Sequence, residues 1–174
     1  MATVISGLPP VALANAQVLI LGTLPSQKSL SMREYYAQSR NRFWWLMGQI
    51  VGASRDLPYL QRLDTLKMAG AGLWDVCASA QRAGSSDSNI IMDSVVPNDF
   101  IGFFQQHPHI KRICFNGNLA EKIYKRRVLN GLPPPFREIQ RVVLPSTSAV
   151  HAKLSPEEKL LEWRAAIEEF ICQH

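Results

Sequence analysis

The stretch LILGTLPSQKSL, residues 19–30, runs from an apolar segment into a glycine and a proline turn. Residues 19–21 are typical of a short buried strand, and Gly22 begins the turn after it. Lys28 and Ser29 follow Gly22 at the distances found in the phosphate-binding loop G-x-x-x-x-G-K-[ST]. The stretch therefore predicts a strand that ends in a functional loop, and the kind of loop must be decided from its chemistry.

A phosphate-binding loop is disfavoured by two residues of the stretch. Gln27 stands where that loop has its second glycine, and Pro25 removes one of the backbone N–H groups that would cradle a phosphate. A phosphate-binding loop also needs a strand that ends in a magnesium-binding aspartate, and the short apolar run that ends at Asp75 is a poor candidate for it. We therefore treat a nucleotide-binding enzyme as the weakest of three functional hypotheses.

Length and composition predict one globular domain over residues 1–174. The chain is 47% hydrophobic and 19% charged, which is ordinary for a protein with a packed core. Its net charge of +5 is compatible with a polyanionic partner but does not require one. No apolar run is long enough to span a membrane, so we expect no membrane partner.

The cysteines predict neither a metal site nor a disulfide framework. Cys77, Cys114 and Cys172 are far apart and form no C-x-x-C pair. Scattered cysteines of this kind suit a reducing compartment, and Pro9 and Pro10 argue against a signal peptide. We expect a cytoplasmic protein without cofactor or metal, and without an obligate oligomer, and hence a monomer.

Short apolar runs alternate with helical patterns along the chain. The predicted strands cover residues 17–21, 73–76, 112–115 and 141–144, and the predicted helices cover residues 42–51, 58–68, 97–106, 118–129 and a last segment that begins at Ser155. Ser155, Pro156 and Glu158 form a capping-box pattern at its start. Such alternation predicts a three-layer α/β/α fold with a parallel sheet of about four strands between helices.

The segments that follow the strands are the predicted functional edge. They cover residues 22–30, 77–88, 116–118 and 145–151. Ligands of open parallel sheets bind at the carboxyl ends of the strands. These four segments are therefore expected to converge on one cleft.

Five separated blocks, in order, carry a resemblance to a known family. They read GTLPSQKSL (22–30), YYAQSRNRFWWLM (35–47), GLWDVCASAQRAGSSDSNI (72–90), FNGNLA (115–120) and LPSTSAVHA (144–152). Together they resemble the uracil-DNA glycosylase superfamily, and within it most closely the hypoxanthine-DNA glycosylase branch, which is related to the mismatch-specific uracil/thymine glycosylases. The chain departs from that branch at Gln38 and Ser39, where His-Pro is common.

The resemblance implies a catalytic residue outside the first loop. Many members carry a water-orienting carboxylate or amide where this chain has Leu24, which cannot serve that purpose. The resemblance moves the role to Asn41, whose amide can orient a water but is a poor base. The alternative is that Asn41 only caps the following helix. His151 is the second implied catalytic group, as a donor to a phosphate or to the leaving base.

The resemblance also implies a base pocket and a DNA-backbone surface. The implied base-pocket residues are Gly22, Thr23, Leu24, Tyr36, Phe43 and Asn116, and the implied backbone contacts are Ser146, Thr147, Ser148 and Lys153. Tyr36 would stack on the extruded base while Tyr35, its neighbour, packs in the core. Asn116 would read a keto–imino edge, or alternatively cap the next helix. Asp75 is expected to order the pocket and Asp87 to hold a turn.

The implied function is a monofunctional DNA glycosylase that removes hypoxanthine or uracil by base flipping and water attack in base-excision repair. Its expected partner is DNA that contains deaminated bases or abasic sites. The departures at Leu24, Gln38 and Ser39 motivate the second hypothesis, a catalytically weak module that binds damaged or abasic DNA on the same fold.

Overall fold

The computed structural model describes residues 1–171, and Cys172 therefore lies outside the described residues. The strands are β1 (Thr3–Ser6), β2 (Val18–Gly22), β3 (Ala71–Asp75), β4 (Cys77–Arg82), β5 (Ile90–Pro97), β6 (Arg112–Asn116) and β7 (Gln140–Leu144). The α-helices are α1 (Gln27–Met32), α2 (Phe43–Val51), α3 (Tyr59–Met68), α4 (Phe100–Gln106), α5 (Asn118–Arg127), α6 (Pro134–Arg137) and α7 (Pro156–Ile167). Short 3₁₀ turns follow α5 and α7 and precede β5.

The central sheet has the strand order β3-β2-β6-β7, and all its neighbouring strands are parallel. These four strands are the ones predicted from the apolar runs, within two residues at each end. Gly22 lies opposite Asp75, and Asn116 lies opposite Leu144. The carboxyl ends of the four strands therefore form one edge, as the sequence predicts.

The side chains of the central strands alternate between two separate hydrophobic cores. Leu19 and Leu21 of β2 pack in one cluster with α4, α5, β4 and β5. Val18 and Ile20 pack in the other cluster with α2, α3 and α7. Successive side chains of a strand point to opposite faces, so a continuous apolar run fits a sheet that is covered on both sides. The predicted three-layer arrangement is confirmed.

A second sheet is absent from the sequence prediction. It is antiparallel, with the order β1-β4-β5, and it helps to cover one face of the central sheet. Strand β4 lies in the segment 77–88, which follows the second predicted strand and contains no predicted strand of its own. Its pairing with β5 shifts register between Cys77 and Ser79 and again between Ser79 and Gln81. These irregularities interrupt the two-residue alternation by which a strand is recognised.

The start of α4 and the presence of α1 differ from the predictions. The helix predicted from Pro97 begins at Phe100 instead, because Pro97 still belongs to β5 and Asp99 is the N-cap, its Oδ1 accepting a hydrogen bond from the Gly102 N–H at 2.9 Å. Helix α1 is not in the prediction. Ser26 caps it by accepting a hydrogen bond from the Ser29 N–H at 3.1 Å.

Helix α7 has the capping box predicted for it. The Ser155 hydroxyl accepts from the Glu158 N–H at 3.1 Å, and the Glu158 carboxylate accepts from the Ser155 N–H at 2.7 Å. The helix buries Trp163 against the sheet. Within residues 1–171 no helix is both long and apolar enough to cross a bilayer. Cys77 and Cys114 are free, buried thiols.

We expect Ser155→Ala to lower the free energy of unfolding by about 1 kcal/mol, because the Glu158 N–H loses its acceptor at the start of α7. Urea unfolding followed by circular dichroism measures the change. Ser155→Thr, which keeps a capping hydroxyl, should stay within about 0.5 kcal/mol of the wild-type protein. Equal losses for the two variants would contradict a capping role.

Candidate active site

The segments after the four central strands meet at the carboxyl edge. The Gln27 N–H donates to the Ser85 hydroxyl at 3.0 Å, which joins the loop after β2 to the turn after β4. The Thr147 N–H donates to Asn116 Oδ1 at 2.9 Å, which joins the loop after β7 to the end of β6. The predicted convergence of these segments is confirmed, although the segment 77–88 reaches the edge only after forming β4.

Asn116 and Thr147 are linked by two hydrogen bonds. Besides the bond from the Thr147 N–H, Asn116 Nδ2 donates to Thr147 Oγ1 at 2.9 Å. Helix α5 has Gly117 as its N-cap, without a side-chain cap bond. The alternative that Asn116 caps this helix is therefore wrong. The Asn116 side chain also lies close enough to the Tyr36 hydroxyl to lower the pKa of Tyr36, although the two form no hydrogen bond of good geometry.

Asn41 lies in the loop immediately before α2. Its Oδ1 accepts from the Phe43 N–H at 2.9 Å, and its own N–H donates to the Gln38 carbonyl oxygen at 2.9 Å. The helix begins one residue later than predicted, with Arg42 as the N-cap and no cap bond from its side chain. Asn41 thus satisfies an N–H of the first turn, and its Nδ2 group stays available for a second partner.

Arg55 holds the loop that carries Asn41 from outside. Its Nη2 group donates to the carbonyl oxygens of Tyr36 at 3.3 Å and Gln38 at 3.2 Å. Arg55 lies beyond the end of α2, and no motif in the sequence marks it. Guanidinium bonds to successive carbonyl oxygens restrain a loop that has few bonds of its own.

The two tyrosines at 35 and 36 differ in environment, but strand alternation is not the reason, because both lie in a turn. Tyr35 is buried, and its hydroxyl donates to the Pro9 carbonyl oxygen at 2.8 Å. Tyr36 is half-buried and adopts φ +54°, the left-handed conformation that is unfavourable for a bulky side chain. Its ring stacks on Phe43, with ring centroids 4.0 Å apart. Phe43 is fully buried and supports the Tyr36 ring from below.

Asp75 is buried at the end of β3, directly beside Gly22. A Cβ atom on Gly22 would lie 2.5 Å from Asp75 Oδ1 and 3.2 Å from the Tyr36 hydroxyl, so a larger residue does not fit there. Burial, and then the charge of Asp87, raise the pKa of Asp75 to about 7, against a smaller opposing effect of Arg82. This carboxyl is therefore partly protonated near neutral pH.

Arg82 braces the first loop from within the protein. This buried side chain donates to the Leu24 carbonyl oxygen at 3.4 Å, to that of Pro25, and to that of Gly84 at 3.0 Å. The Leu24 side chain belongs to the buried core beside α4 and α5. Leu24 therefore contributes its backbone, and not a polar side chain, to this edge.

Asp87 lies at the carboxyl edge, close to the predicted site residues Thr23 and His151. Its carboxylate accepts a hydrogen bond from the Thr23 side chain and lies near His151, and both effects lower its pKa against the larger rise caused by burial. Arg82 Nη1 is 3.7 Å from Asp87 Oδ1. Asp87 does begin a 3₁₀ turn, as expected. It also connects Thr23 with the loop that carries His151.

Lys159 of α7 holds the loop of residues 145–151. Its ammonium donates to the Ser146 carbonyl oxygen at 2.7 Å and to the His151 carbonyl oxygen at 2.6 Å. Burial lowers its pKa, and nearby Arg42 adds to the effect. The sequence does not mark this role, because Lys159 looks like an ordinary solvent-exposed lysine on a charged helix. His151 and Lys153 are exposed at the surface.

The described residues 1–171 contain no group of three or more His, Cys, Asp or Glu side chains that could hold a metal ion. The groups that the site does present are amides, hydroxyls, an aromatic ring, the His151 imidazole and the carboxyls of Asp75 and Asp87. Such groups can bind a planar polar base and orient a water.

We expect the stability of the protein to fall as the pH rises from about 4 to about 7, in part through Asp75. In this interval the folded protein keeps a proton on Asp75 that the unfolded chain has lost, so deprotonation favours unfolding by up to about 4 kcal/mol. Asp75→Asn should remove this contribution and be more stable than the wild type at pH 8. Urea unfolding at pH 5 and pH 8 measures both proteins.

Asp99→Asn is the matched control, because it keeps a capping oxygen on α4 and lies outside the site. It should show the same difference between pH 5 and pH 8 as the wild type. If Asp75→Asn also showed that unchanged difference, Asp75 would ionise normally in the folded protein.

Comparison with known proteins identifies the family of the chain. The family model of the uracil DNA glycosylase superfamily matches residues 9–169. A hypoxanthine DNA glycosylase of Methanosarcina acetivorans is 37% identical over 160 residues, which cover 91% of this chain and 95% of the relative. A hypoxanthine DNA glycosylase of Methanosarcina barkeri is 38% identical over 112 residues, which cover 64% of this chain and 70% of the relative.

A solved structure resembles the whole chain. A protein of Methanosarcina acetivorans assigned to the uracil DNA glycosylases, solved by solution NMR, superimposes with a TM-score of 0.75 at 35% sequence identity. The match covers 94% of this chain and 99% of that protein. Family match, sequence identity and shared fold extend over nearly the same residues, and the chain belongs to the uracil DNA glycosylase superfamily.

Proposed function

We propose that this protein is a monofunctional DNA glycosylase that hydrolyses the N-glycosidic bond of deaminated bases, hypoxanthine or uracil, in base-excision repair. Its family and its hypoxanthine DNA glycosylase relatives support this activity. The observation that carries the proposal is the position of Thr147. Its side chain and N–H bond to Asn116, while its carbonyl oxygen accepts from the Arg42 N–H at 2.9 Å, next to Asn41.

In the proposed reaction an extruded base enters between these groups. The base stacks on Tyr36, which Phe43 supports from below. The remaining N–H of Asn116 donates to the keto oxygen that hypoxanthine and uracil share. Asn41 orients the attacking water through its Nδ2 group, which does not cap α2. One side of this edge is buried in the protein. Little water therefore competes with these contacts.

DNA-backbone contacts are assigned to Ser146, Ser148 and Lys153. Thr147 was predicted with them, but it is buried, and its hydroxyl and N–H are both bonded to Asn116. Lys159 holds the backbone of this loop, which leaves the Ser146 and Ser148 hydroxyls for phosphate oxygens. His151 lies near Asp87 and is proposed to donate to a phosphate or to the leaving base. The net charge of +5 favours association with DNA in general.

Water is the proposed nucleophile rather than a lysine. Lys28 is exposed on α1, and the Lys159 ammonium is bound by two carbonyl oxygens. A lysine that forms a Schiff base must be free and close to the sugar. We further propose that the protein acts as a cytoplasmic monomer and stays bound to abasic product DNA. Light scattering tests the oligomeric state.

A module that binds damaged DNA without cleaving it is the second candidate. It is favoured by the buried, apolar side chain of Leu24 and by the capping bond that occupies Asn41 Oδ1. This candidate predicts salt-sensitive binding of lesion DNA with no released base. The assay below separates the two candidates.

We expect the protein to release the base from short labelled duplexes or single strands that contain deoxyinosine or deoxyuridine, followed by strand scission in alkali. Asn41→Ala should lower the single-turnover rate by about 100-fold or more, because the water loses its orienting amide. Asn41→Ser, which keeps an oxygen that can cap α2, should be equally inactive.

Asn130→Ala, a change of the same kind at an exposed position, should keep the wild-type rate. No base release from either lesion by the wild-type protein would reject the glycosylase proposal in favour of the binding module. A fully active Asn41→Ser variant would instead show that Asn41 acts only as a helix cap.

We expect Asn116→Ala to reduce the rates on deoxyinosine and deoxyuridine alike, by about 10- to 100-fold, because the two bases share the keto–imino edge. The ratio of the two rates, measured under single-turnover conditions, is the informative quantity. Asn130→Ala, at an exposed position outside the site, serves as the control. A loss confined to one base would contradict recognition of the shared edge.

A further inference from the structure

Two buried oxygens in the site have no hydrogen-bond partner. Within residues 1–171, the buried side-chain atoms without a partner are the Tyr36 hydroxyl, Asp75 Oδ2 and the Tyr124 hydroxyl. Tyr124 lies on α5, whereas Tyr36 and Asp75 both lie beside Gly22. An unpaired buried polar atom is unfavourable and rare in folded proteins. The Asn116 side chain acts on the Tyr36 hydroxyl and lowers the pKa of Tyr36, so Asp75 Oδ2 is the buried oxygen of the site that most needs a polar ligand atom.

The local backbone is arranged to keep the Asp75 carboxyl and the Tyr36 hydroxyl in place. The absence of a side chain at Gly22 lets Asp75 Oδ1 and the Tyr36 hydroxyl approach the end of β2. Tyr36 is held at φ +54° by its neighbours: the Ala37 N–H donates to the Ser29 hydroxyl at 3.2 Å, and Arg55 binds the Tyr36 carbonyl oxygen. Unfavourable backbone conformations that neighbours enforce are frequent at functional sites.

Asp75 is surrounded by groups from three directions that affect its charge. Those that interact with it are Tyr35 and Tyr36 from the segment before α2, Cys77 and Arg82 from β4, and Asp87 from the turn after β4. Burial dominates and raises the pKa of Asp75 to about 7. The carboxyl can therefore carry a proton at neutral pH and act as a hydrogen-bond donor.

We propose that Asp75 is a catalytic acid for purine bases, and that its carboxyl donates its proton to N7 of an extruded hypoxanthine beside Gly22 and Tyr36. This inference rests on the proposed glycosylase function. It adds a residue that acts on purine substrates only. N7 is a ring acceptor that uracil lacks. Asn116 would read the edge that the two bases share, and Asp75 would act on the atom that they do not share.

The proposed step balances without a further reagent. As the bond between C1′ and N9 breaks, its electron pair moves into the purine ring, and N7 takes the proton from Asp75, so hypoxanthine leaves as a neutral N7-H tautomer. Water adds its oxygen to C1′ and releases one proton, which restores the Asp75 carboxyl through solvent. A general acid in such a position contributes about 10²-fold or more.

The test compares deoxyinosine and deoxyuridine in single-turnover assays with wild-type, Asp75→Asn and Asp99→Asn proteins. Asp75→Asn should lose about 100-fold on deoxyinosine and stay within about 2-fold on deoxyuridine, because only the purine needs the acid. The wild-type rate on deoxyinosine should decline above about pH 7, and the Asp75→Asn rate should not. Asp99→Asn should match the wild type on both bases.

Substrate analogues separate this proposal from a structural role of Asp75. On 7-deaza-deoxyinosine, which has carbon in place of N7, wild-type and Asp75→Asn proteins should be equally slow. An Asp75→Asn variant that loses activity equally on both bases, or keeps the wild-type rate on deoxyinosine, would overturn the proposal. So would a wild-type enzyme that cleaves only deoxyuridine. A wild type inactive on both bases would instead reject the glycosylase function itself.

Discussion

The buried hydrogen bonds of Thr147 hold the candidate active site together. One residue joins the end of β6, through Asn116, to the loop before α2, through the Arg42 N–H, and it is almost completely buried. A buried polar group that loses its partner is strongly unfavourable, so this arrangement tolerates little displacement. Asn116 and Asn41 come from different elements. Their relative position therefore depends on Thr147, which links these elements.

The loops around Thr147 have little regular structure, and long side chains from neighbouring elements replace the missing backbone bonds. Lys159 and Trp163 of α7 donate to carbonyl oxygens of the loop of residues 145–151. Arg55 and Arg82 do the same for the loops before α2 and after β2. The carbonyl oxygens are thereby satisfied within the protein, and the proposed phosphate contacts fall to hydroxyls and N–H groups.

The sequence predicts the central sheet well because strands buried on both faces leave continuous apolar runs, as in β2 and β6. It predicts the converging edge because parallel strands end on the same side. It does not predict β4, whose register shifts interrupt alternation. It also misses Lys159, Arg55 and Arg82, because a cation that binds carbonyl oxygens far away in the chain looks like an ordinary surface charge until the fold is known. The conformation of Tyr36 is likewise enforced by distant partners.

The polar groups of this site are of two kinds, and the difference between them separates structure from chemistry. Thr147 and Asn116 bond to each other, and such satisfied pairs fix geometry. Asp75 and the Tyr36 hydroxyl, in contrast, are buried beside Gly22 without a partner for the atoms they present. Their unfavourable burial is offset by the cores on both sides of the sheet. A site that kept every polar group satisfied would have no bonding capacity left for a ligand. The unpaired oxygens therefore mark where the free energy of binding can be gained.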